Sequence, residues 1–232
     1  MIYEIYFKGC ADMKKLCAQK ALGLIKNDMI IGLGGGTTIS YLIEYIKEAD
    51  LNVKIVSPSY KTAQLCWQAG LFVVPAHVVH HLDIAFDGCD EVDFDLNALK
   101  SGGAIHTKEK IIASMADKYV LLVDETKVFE KLPFNHPVAV EVIPEAKSYV
   151  LHKLRLLADK AVLRESSAKD AMTVSDNGNM IIDAYFTNVD NVKELNEILM
   201  MTAGIVDTSL FYQIADKAIV VGKSGINIME RK

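Results

Sequence analysis

What the chain lacks narrows its function first. Its 232 residues contain only four cysteines, Cys10, Cys17, Cys66 and Cys89, with no C-x-x-C pair and no cysteine set against a histidine at ligand spacing. They read as reduced thiols of a cytosolic protein, so a disulfide framework is not expected. The closest histidines, His77, His80 and His81, lack the spacing of a metal site. No apolar run reaches the 18 residues that a membrane span needs. Glu4 comes early and no basic region precedes an apolar core, which argues against a secretory leader and for a cytoplasmic location. Positive charge is also scarce, 25 Lys and Arg against 30 Asp and Glu, for a net charge of −5. That balance argues against a broad nucleic-acid surface but leaves room for a small local anion site. Internal repeats and low-complexity segments are missing as well.

What is present fits a globular protein of one or two domains, since 51% of the residues are hydrophobic and 24% charged. Short apolar runs at Met29–Leu33, Val53–Ser57, Phe72–Ala76, Leu82–Phe86 and Tyr119–Val123 read as strands. Helical periodicity lies between them: Ile39, Leu42, Ile43 and Ile46 share one face, and Thr62–Trp67 forms another helix. Alternating β and α implies a Rossmann-like, mostly parallel sheet with helices on both faces. Ahead of it, Asp12–Lys26 reads as a helix with Asp12 as N-cap. Lys14 and Lys15 in its first turn oppose the helix dipole, which suggests an anion nearby.

The texture changes after Leu132-Pro133-Phe134-Asn135-His136-Pro137. VAVEVI alternates as a strand and Glu145–Ala158 reads as a helix. AVLRES, AMTVS and NMIIDAYF read as three more strands, with a turn at Asp176–Asn179, and Asp190–Met201 as a second helix. This order predicts a smaller ferredoxin-like α+β domain. Lys217–Val221 and Ile226–Met229 then return to the first domain as late strands. The expected division is 1–131 with 207–232 for the Rossmann-like catalytic domain, and 132–206 for the small one.

Two stretches carry candidate chemistry. The first is Gly34-Gly35-Gly36-Thr37-Thr38, between a strand and a helix. Glycines let the backbone approach an anion, and helix-terminal N–H groups and threonine hydroxyls donate to it. It is neither a Walker A loop nor a G-x-G-x-x-G fingerprint, and simple tight-turn packing is its structural alternative. The second runs from Asp87 to Lys127. A strand ends in Asp87-Gly88-Cys89-Asp90-Glu91, with Asp93 and Asp95 following, then Lys100-Ser101-Gly102-Gly103, then Glu109 near a helix start. Carboxylates beyond the carboxyl end of such a strand stand where ligands bind in open α/β sheets. They also serve as turn formers and helix caps. Glu109 could simply complement a helix dipole, and Lys100 could be a solvated charge.

DGCDEVDFDLNALKSGG followed by HTKEKIIASMADKYVLLVDETK resembles type A ribose-5-phosphate isomerase. IGLGGGTTIS upstream, and VAVEVIPEA, SDNGNMIID and GIVDTSLF downstream, fall in that family's order, so the resemblance runs from about Asp12 to near the end. It implies interconversion of D-ribose 5-phosphate and D-ribulose 5-phosphate through an enediolate, in the non-oxidative pentose phosphate pathway. It implies Glu109 as the proton-shuttling base and Lys100 near the developing oxyanion. Asp87 and Asp90 would bind sugar hydroxyls and assist ring opening. Substrate contacts would come from Lys14, Gly35, Gly36, Thr37, Thr38, Gly88, Cys89, Ser101, Gly102, Gly103 and Lys127. No metal or organic cofactor is implied, and no nucleic-acid or membrane partner. The family forms dimers and tetramers.

The sequence departs from the family at several positions. Gly35 replaces a threonine and Thr37 a serine. Ser101 replaces a glycine, His106 an apolar residue and Ala203 a proline, while Thr208-Ser209 replaces Asn-Gly. An isomerase for a related sugar phosphate is one alternative. A non-catalytic sugar-phosphate sensor is a second, although the chain shows neither a helix-turn-helix nor a basic surface. Acyl-CoA transfer on a similar fold is a third, and it would need its nucleophilic glutamate elsewhere. The stretch Met1–Cys10 lies outside the resemblance and reads equally as an added strand, a partner contact or a tail.

Overall fold

The computed structural model describes the backbone of residues 2–231 and side chains from residue 12 onward. In chain order the elements are α1 (Ile2–Leu22), β1 (Ile30–Leu33), α2 (Thr37–Glu48), β2 (Lys54–Val56), α3 (Tyr60–Gln68), β3 (Phe72–Val73) and β4 (Ile84–Asp87). Next come β5 (Glu91–Asp93), β6 (Ala98–Leu99), α4 (His106–Met115), β7 (Tyr119–Asp124), β8 (Val128–Phe129) and β9 (Val138–Val142). The rest are α5 (Lys147–Leu157), β10 (Lys160–Leu163), β11 (Met180–Tyr185), α6 (Val192–Met200), β12 (Ile205–Thr208), β13 (Leu210–Phe211), β14 (Lys217–Gly222) and β15 (Gly225–Glu230). Among the described residues no helix is long and apolar enough to cross a membrane.

Backbone contacts divide the chain into two units, 1–89 with 109–128 and 214–232, and 90–108 with 129–213. The expected division differs from this mainly at 90–108, a stretch of short strands and loop whose hydrogen bonds run to 137, 209 and 213.

The first unit is built on a seven-stranded sheet in the order β15-β14-β7-β4-β1-β2-β3. It is parallel except for the antiparallel β14–β15 hairpin. The chain winds outward from β1 through β2 to β3, then restarts on the other side with β4, β7 and β14. The sheet therefore has its switch point between β1 and β4. Ile31 and Leu33 of β1 and Ile39, Leu42, Ile43 and Ile46 of α2 are buried in one apolar cluster with Cys17, Ala18 and Ala21 of α1. On β1, a Cβ added at Gly32 would lie 2.7 Å from Ile112 of α4 and 2.6 Å from the Ala85 Cβ. That close approach seats α4 on the sheet. Leu82 N–H donates to Met115 O at 2.9 Å, so the carboxyl end of α4 lies at the amino end of β4, and its first turn lies toward the strands' carboxyl ends.

The second unit holds an antiparallel sheet in the order β10-β11-β9-β12. With α5 and α6 this gives β-α-β-β-α-β, the ferredoxin-like arrangement. Val138, Val140, Val142, Val150, Leu154, Ile182, Leu195 and Leu199 form its core. A further four-stranded sheet runs β13-β6-β5-β8.

Three sequence expectations need correcting. The first helix spans Ile2–Leu22, so Asp12 is interior rather than an N-cap, and Lys14 and Lys15 are not in a first turn. The dipole argument for an anion beside them fails, and 2–10 continues the helix instead of adding a strand. AMTVS forms only isolated bridges, at Met172 and Val174. The small sheet takes its fourth strand from Ile205–Thr208, a short run with Asp207 buried inside it, which pairs with β9 across a bulge.

Candidate active site

At the switch point of the first unit, β1 ends at Leu33 opposite Phe86 of β4, so the Gly34–Thr38 loop leaves the sheet beside Asp87. A Cβ at Gly34 would lie 1.9 Å from the Asp87 carboxyl carbon. Only glycine there leaves room for the carboxylate. Asp87 is buried, and its Oδ1 accepts from Gly88 N–H at 2.8 Å and Gly35 N–H at 3.2 Å. The Gly35 amide, one of the expected anion donors, is thus turned to Asp87.

Gly36, with φ of 99°, is the N-cap of α2 and supplies no side-chain cap. Uncapped first-turn amides followed by the exposed Thr37 and half-buried Thr38 keep the features of an anion cradle. Lys127, exposed at the end of the turn after β7, donates from Nζ to Cys89 O at 2.8 Å. Lys14 is half-buried on α1.

Glu109 is buried in the first turn of α4. Tyr119, at the start of β7 and paired with Ala85 of β4, lies within electrostatic range of both Glu109 and Asp87. Burial pushes the Tyr119 phenol well above its ordinary range, and the nearby Asp87, Glu109 and Cys89 push it the same way. The phenol therefore stays protonated, a donor among carboxylates. Sequence reasoning missed both Tyr119 and Gly34. An aromatic opening an apolar strand looks like core, and Gly34 draws notice only as part of a glycine run.

The remaining candidates lie in the second unit. Asp90 Oδ2 accepts from Ser101 N–H at 2.7 Å and Gly102 N–H at 3.3 Å, so it organises the Lys100–Gly103 loop. Lys100 is buried, its amide donates to Ser209 O at 3.0 Å, and its Nζ lies 5.7 Å from the Phe211 ring centroid. This is no solvated surface charge. The hydroxyl that distinguishes Ser101 from the family's glycine donates to Pro137 O at 2.5 Å. Ser209, another departure, accepts from Ala139 N–H at 2.8 Å through its hydroxyl. Both side chains make internal bonds that glycine could not.

Two acidic residues of the same run are structural. Asp93 accepts from the amides of Asp95 and Asn97 and from Asn97 Nδ2, closing the β5–β6 turn. Burial raises its pKa against these bonds, which lower it. Glu91 accepts from the His136 amide and pairs with its Nδ1, both at 2.7 Å.

Unit 2 also contains two polar groups that the sequence did not single out. Glu141 on β9 is fully buried and accepts from the hydroxyls of Thr107 and Ser175 and the side-chain amides of Asn177 and Asn179. Arg164, just past β10, is paired with Asp183 and reaches the carbonyls of Ser101 and Gly102. Neither stands beside its partners in the sequence, and only the folded chain brings them together.

Sheet, switch point and flanking acid–base groups place this chain in the class of doubly wound α/β enzymes whose carboxylates stand at the carboxyl edge. Comparison with known proteins narrows the class. The model of the family described as ribose 5-phosphate isomerase A (phosphoriboisomerase A) matches residues 54–225. The chain is 39% identical over 225 residues to a ribose-5-phosphate isomerase A of Pyrococcus abyssi, covering 95% of this chain and 98% of that one. A solved D-ribose-5-phosphate isomerase in complex with phospho-erythronic acid superposes with a TM-score of 0.89 at 36% identity, over 95% of this chain and 98% of that one. A ribose 5-phosphate isomerase A from Methanocaldococcus jannaschii superposes at 0.87 with 36% identity, covering 94% and 98%. The chain belongs to the ribose 5-phosphate isomerase A family.

Proposed function

We propose that this protein interconverts D-ribose 5-phosphate and D-ribulose 5-phosphate, as a cytoplasmic enzyme of the non-oxidative pentose phosphate pathway. The observation that carries the reading is the grouping of Asp87 and Glu109 around Tyr119 at the switch point beside the Gly34–Thr38 loop. A proton must leave C2 and arrive at C1, so one base has to take it and return it. Glu109 fills that role: it is buried, carboxylate-bearing, and flanked by a phenol that keeps its proton.

The charge that develops on the enediolate oxygen needs a preorganised cation. Lys100 is assigned to it, and its burial supports the choice. Asp87 and Asp90 hold sugar hydroxyls and assist ring opening, with Gly88, Cys89, Ser101, Gly102 and Gly103 shaping the sugar site. The phosphate is assigned to Gly35, Gly36, Thr37 and Thr38, with Lys14 and Lys127. With Glu109 and Lys100 supplying base and cation, no metal or organic cofactor takes part. The protein works as a homodimer or homotetramer. Exposed apolar side chains on α5 and α6, Tyr149, Leu156, Ile198 and Met200 among them, supply surface for such assembly.

The test is direct turnover. Purified protein should form ketose from ribose 5-phosphate, and should do so unchanged after exhaustive EDTA treatment. A protein active only on another pentose phosphate would redirect the substrate assignment. Activity lost to EDTA and restored by a divalent ion would overturn the cofactor-free reading. Sedimentation velocity reads the oligomer, and a monomer at working concentration would overturn that part.

A further inference from the structure

We propose that Arg164 is a positioning residue for the reaction, clamping the carbonyl side of the Lys100–Gly103 loop so that Lys100 is held in place before substrate arrives. Within itself the loop is held by little more than the bond from the Ala104 amide to Gly102 O. Gly102 and Gly103 carry no side chain to restrict them, and Gly103 and Ala104 take positive φ of 43° and 55°. Besides the bonds to Ser209 O and Pro137 O described above, its peptide groups have partners on two sides. Asp90 takes the amides of Ser101 and Gly102, as described above. From the carbonyl side, Arg164 Nη2 donates to Ser101 O at 2.8 Å and Nη1 to Gly102 O at 3.4 Å.

The guanidinium is itself fixed. Asp183 on β11 is buried and accepts from Arg164 Nε at 2.9 and 3.1 Å and from Nη2 at 2.5 Å. The Arg164 amide donates to Ile181 O at 2.9 Å, extending the β10–β11 ladder by one residue. Both side chains are mostly covered, at 18% and 11% exposure, so the pair is shielded from the screening that weakens surface ion pairs. A planar fork with five donors can serve one carboxylate and two carbonyls at once, whereas an ammonium cannot reproduce that geometry. The bonds Arg164 makes to the loop are to backbone carbonyls, so its action does not depend on which side chain occupies position 101.

The catalytic part of this inference rests on the role of Lys100 proposed above. The experiment therefore pairs a measurement independent of catalysis with kinetics, on the full chain. Amide hydrogen exchange of segment 100–104 and steady-state turnover of ribose 5-phosphate are compared for wild type, Arg164→Ala, Arg164→Lys and Asp183→Asn. In Arg164→Ala the loop amides should exchange at least about tenfold faster, as a locally opened segment does, while β9 and β11 keep their protection. Its kcat should fall by about 10²-fold, the cost of a misplaced catalytic group, with a smaller change in KM. Arg164→Lys should restore little of either. Asp183→Asn, which leaves the guanidinium in place but loosely held, should change both in the same direction by less, and it keeps the test open if Arg164→Ala fails to fold. Added guanidinium should partly restore kcat in Arg164→Ala. Unchanged loop exchange would overturn the clamp. Faster exchange with kcat within twofold of wild type, or full rescue by lysine, would overturn the positioning role. A wild-type protein without turnover would instead overturn the isomerase reading, and the exchange data would still report the clamp on its own.

Discussion

Glu109 and Gly34 carry the residue-scale argument from opposite directions, one by what it has and the other by what it lacks. Glu109 is a buried carboxylate in the first turn of α4. Glu109→Gln keeps size and packing but cannot shuttle a proton. Its kcat should fall by about 10²–10⁴-fold, with the melting temperature near wild type. If the Gln variant kept more than about a tenth of wild-type kcat, the base would be another group, with Asp87 next in line. Gly34 has no chemistry of its own. A methyl group there would lie 1.9–2.2 Å from three atoms of the Asp87 carboxylate, which two backbone amides hold in place. Gly34→Ala should therefore swing Asp87 out of position and lower kcat/KM by about 10²-fold. Wild-type kcat/KM in that variant would mean that the placement of Asp87 is not critical.

At the scale of elements, the strand–loop–helix of β1 and α2 was legible because its signals are local: an apolar strand, a glycine run, two hydroxyls, then a 3.6-residue apolar period. The carboxylate-ended β4, with Glu109 at a helix start, was legible for the same reason. The front of α1 was not, since Asp12 looks like a cap and nothing local says that the ten residues before it are already helical. Nor was β12, whose pairing with β9 spans a long stretch of chain. The partners of Arg164 and Glu141 were invisible for that reason too. Position 35 shows the limit within a motif that was read: its glycine was expected to offer an amide to the anion, and that amide faces Asp87. The proposed phosphate site then leans on the α2 terminus and its hydroxyls, so Thr38→Val should weaken sugar-phosphate binding by about 1–3 kcal/mol without unfolding the chain. The KM for ribose 5-phosphate and the affinity for inorganic phosphate check it, and no change in either would remove Thr38 from the site.

At the scale of the whole molecule, the dependence of stability on pH should carry the mark of one buried group. Glu141 has no exposed surface, and burial alone would raise its pKa. The donors from Ser175, Thr107, Asn179 and Asn177 together outweigh that and hold it below the usual carboxylate range. A carboxylate whose folded pKa is depressed stabilises the fold above its unfolded value of roughly 4.3, and that contribution is lost as pH falls through the folded pKa. Glu141→Gln brings an NH2 group against four donors, so at least one buried donor loses its acceptor. At pH 7 the variant should be less stable by about 1.5–3 kcal/mol, the range for hydrogen bonds to a charged group. Because wild type gives up the same contribution on acidification, the gap between the two melting temperatures should close as pH falls below about 4. Thr107 lies two residues before Glu109 on α4, so the variant also tests whether this network matters to turnover at neutral pH. A gap that stayed constant from pH 7 down to strongly acidic pH would show that the shape of the side chain, and not its charge, holds these donors.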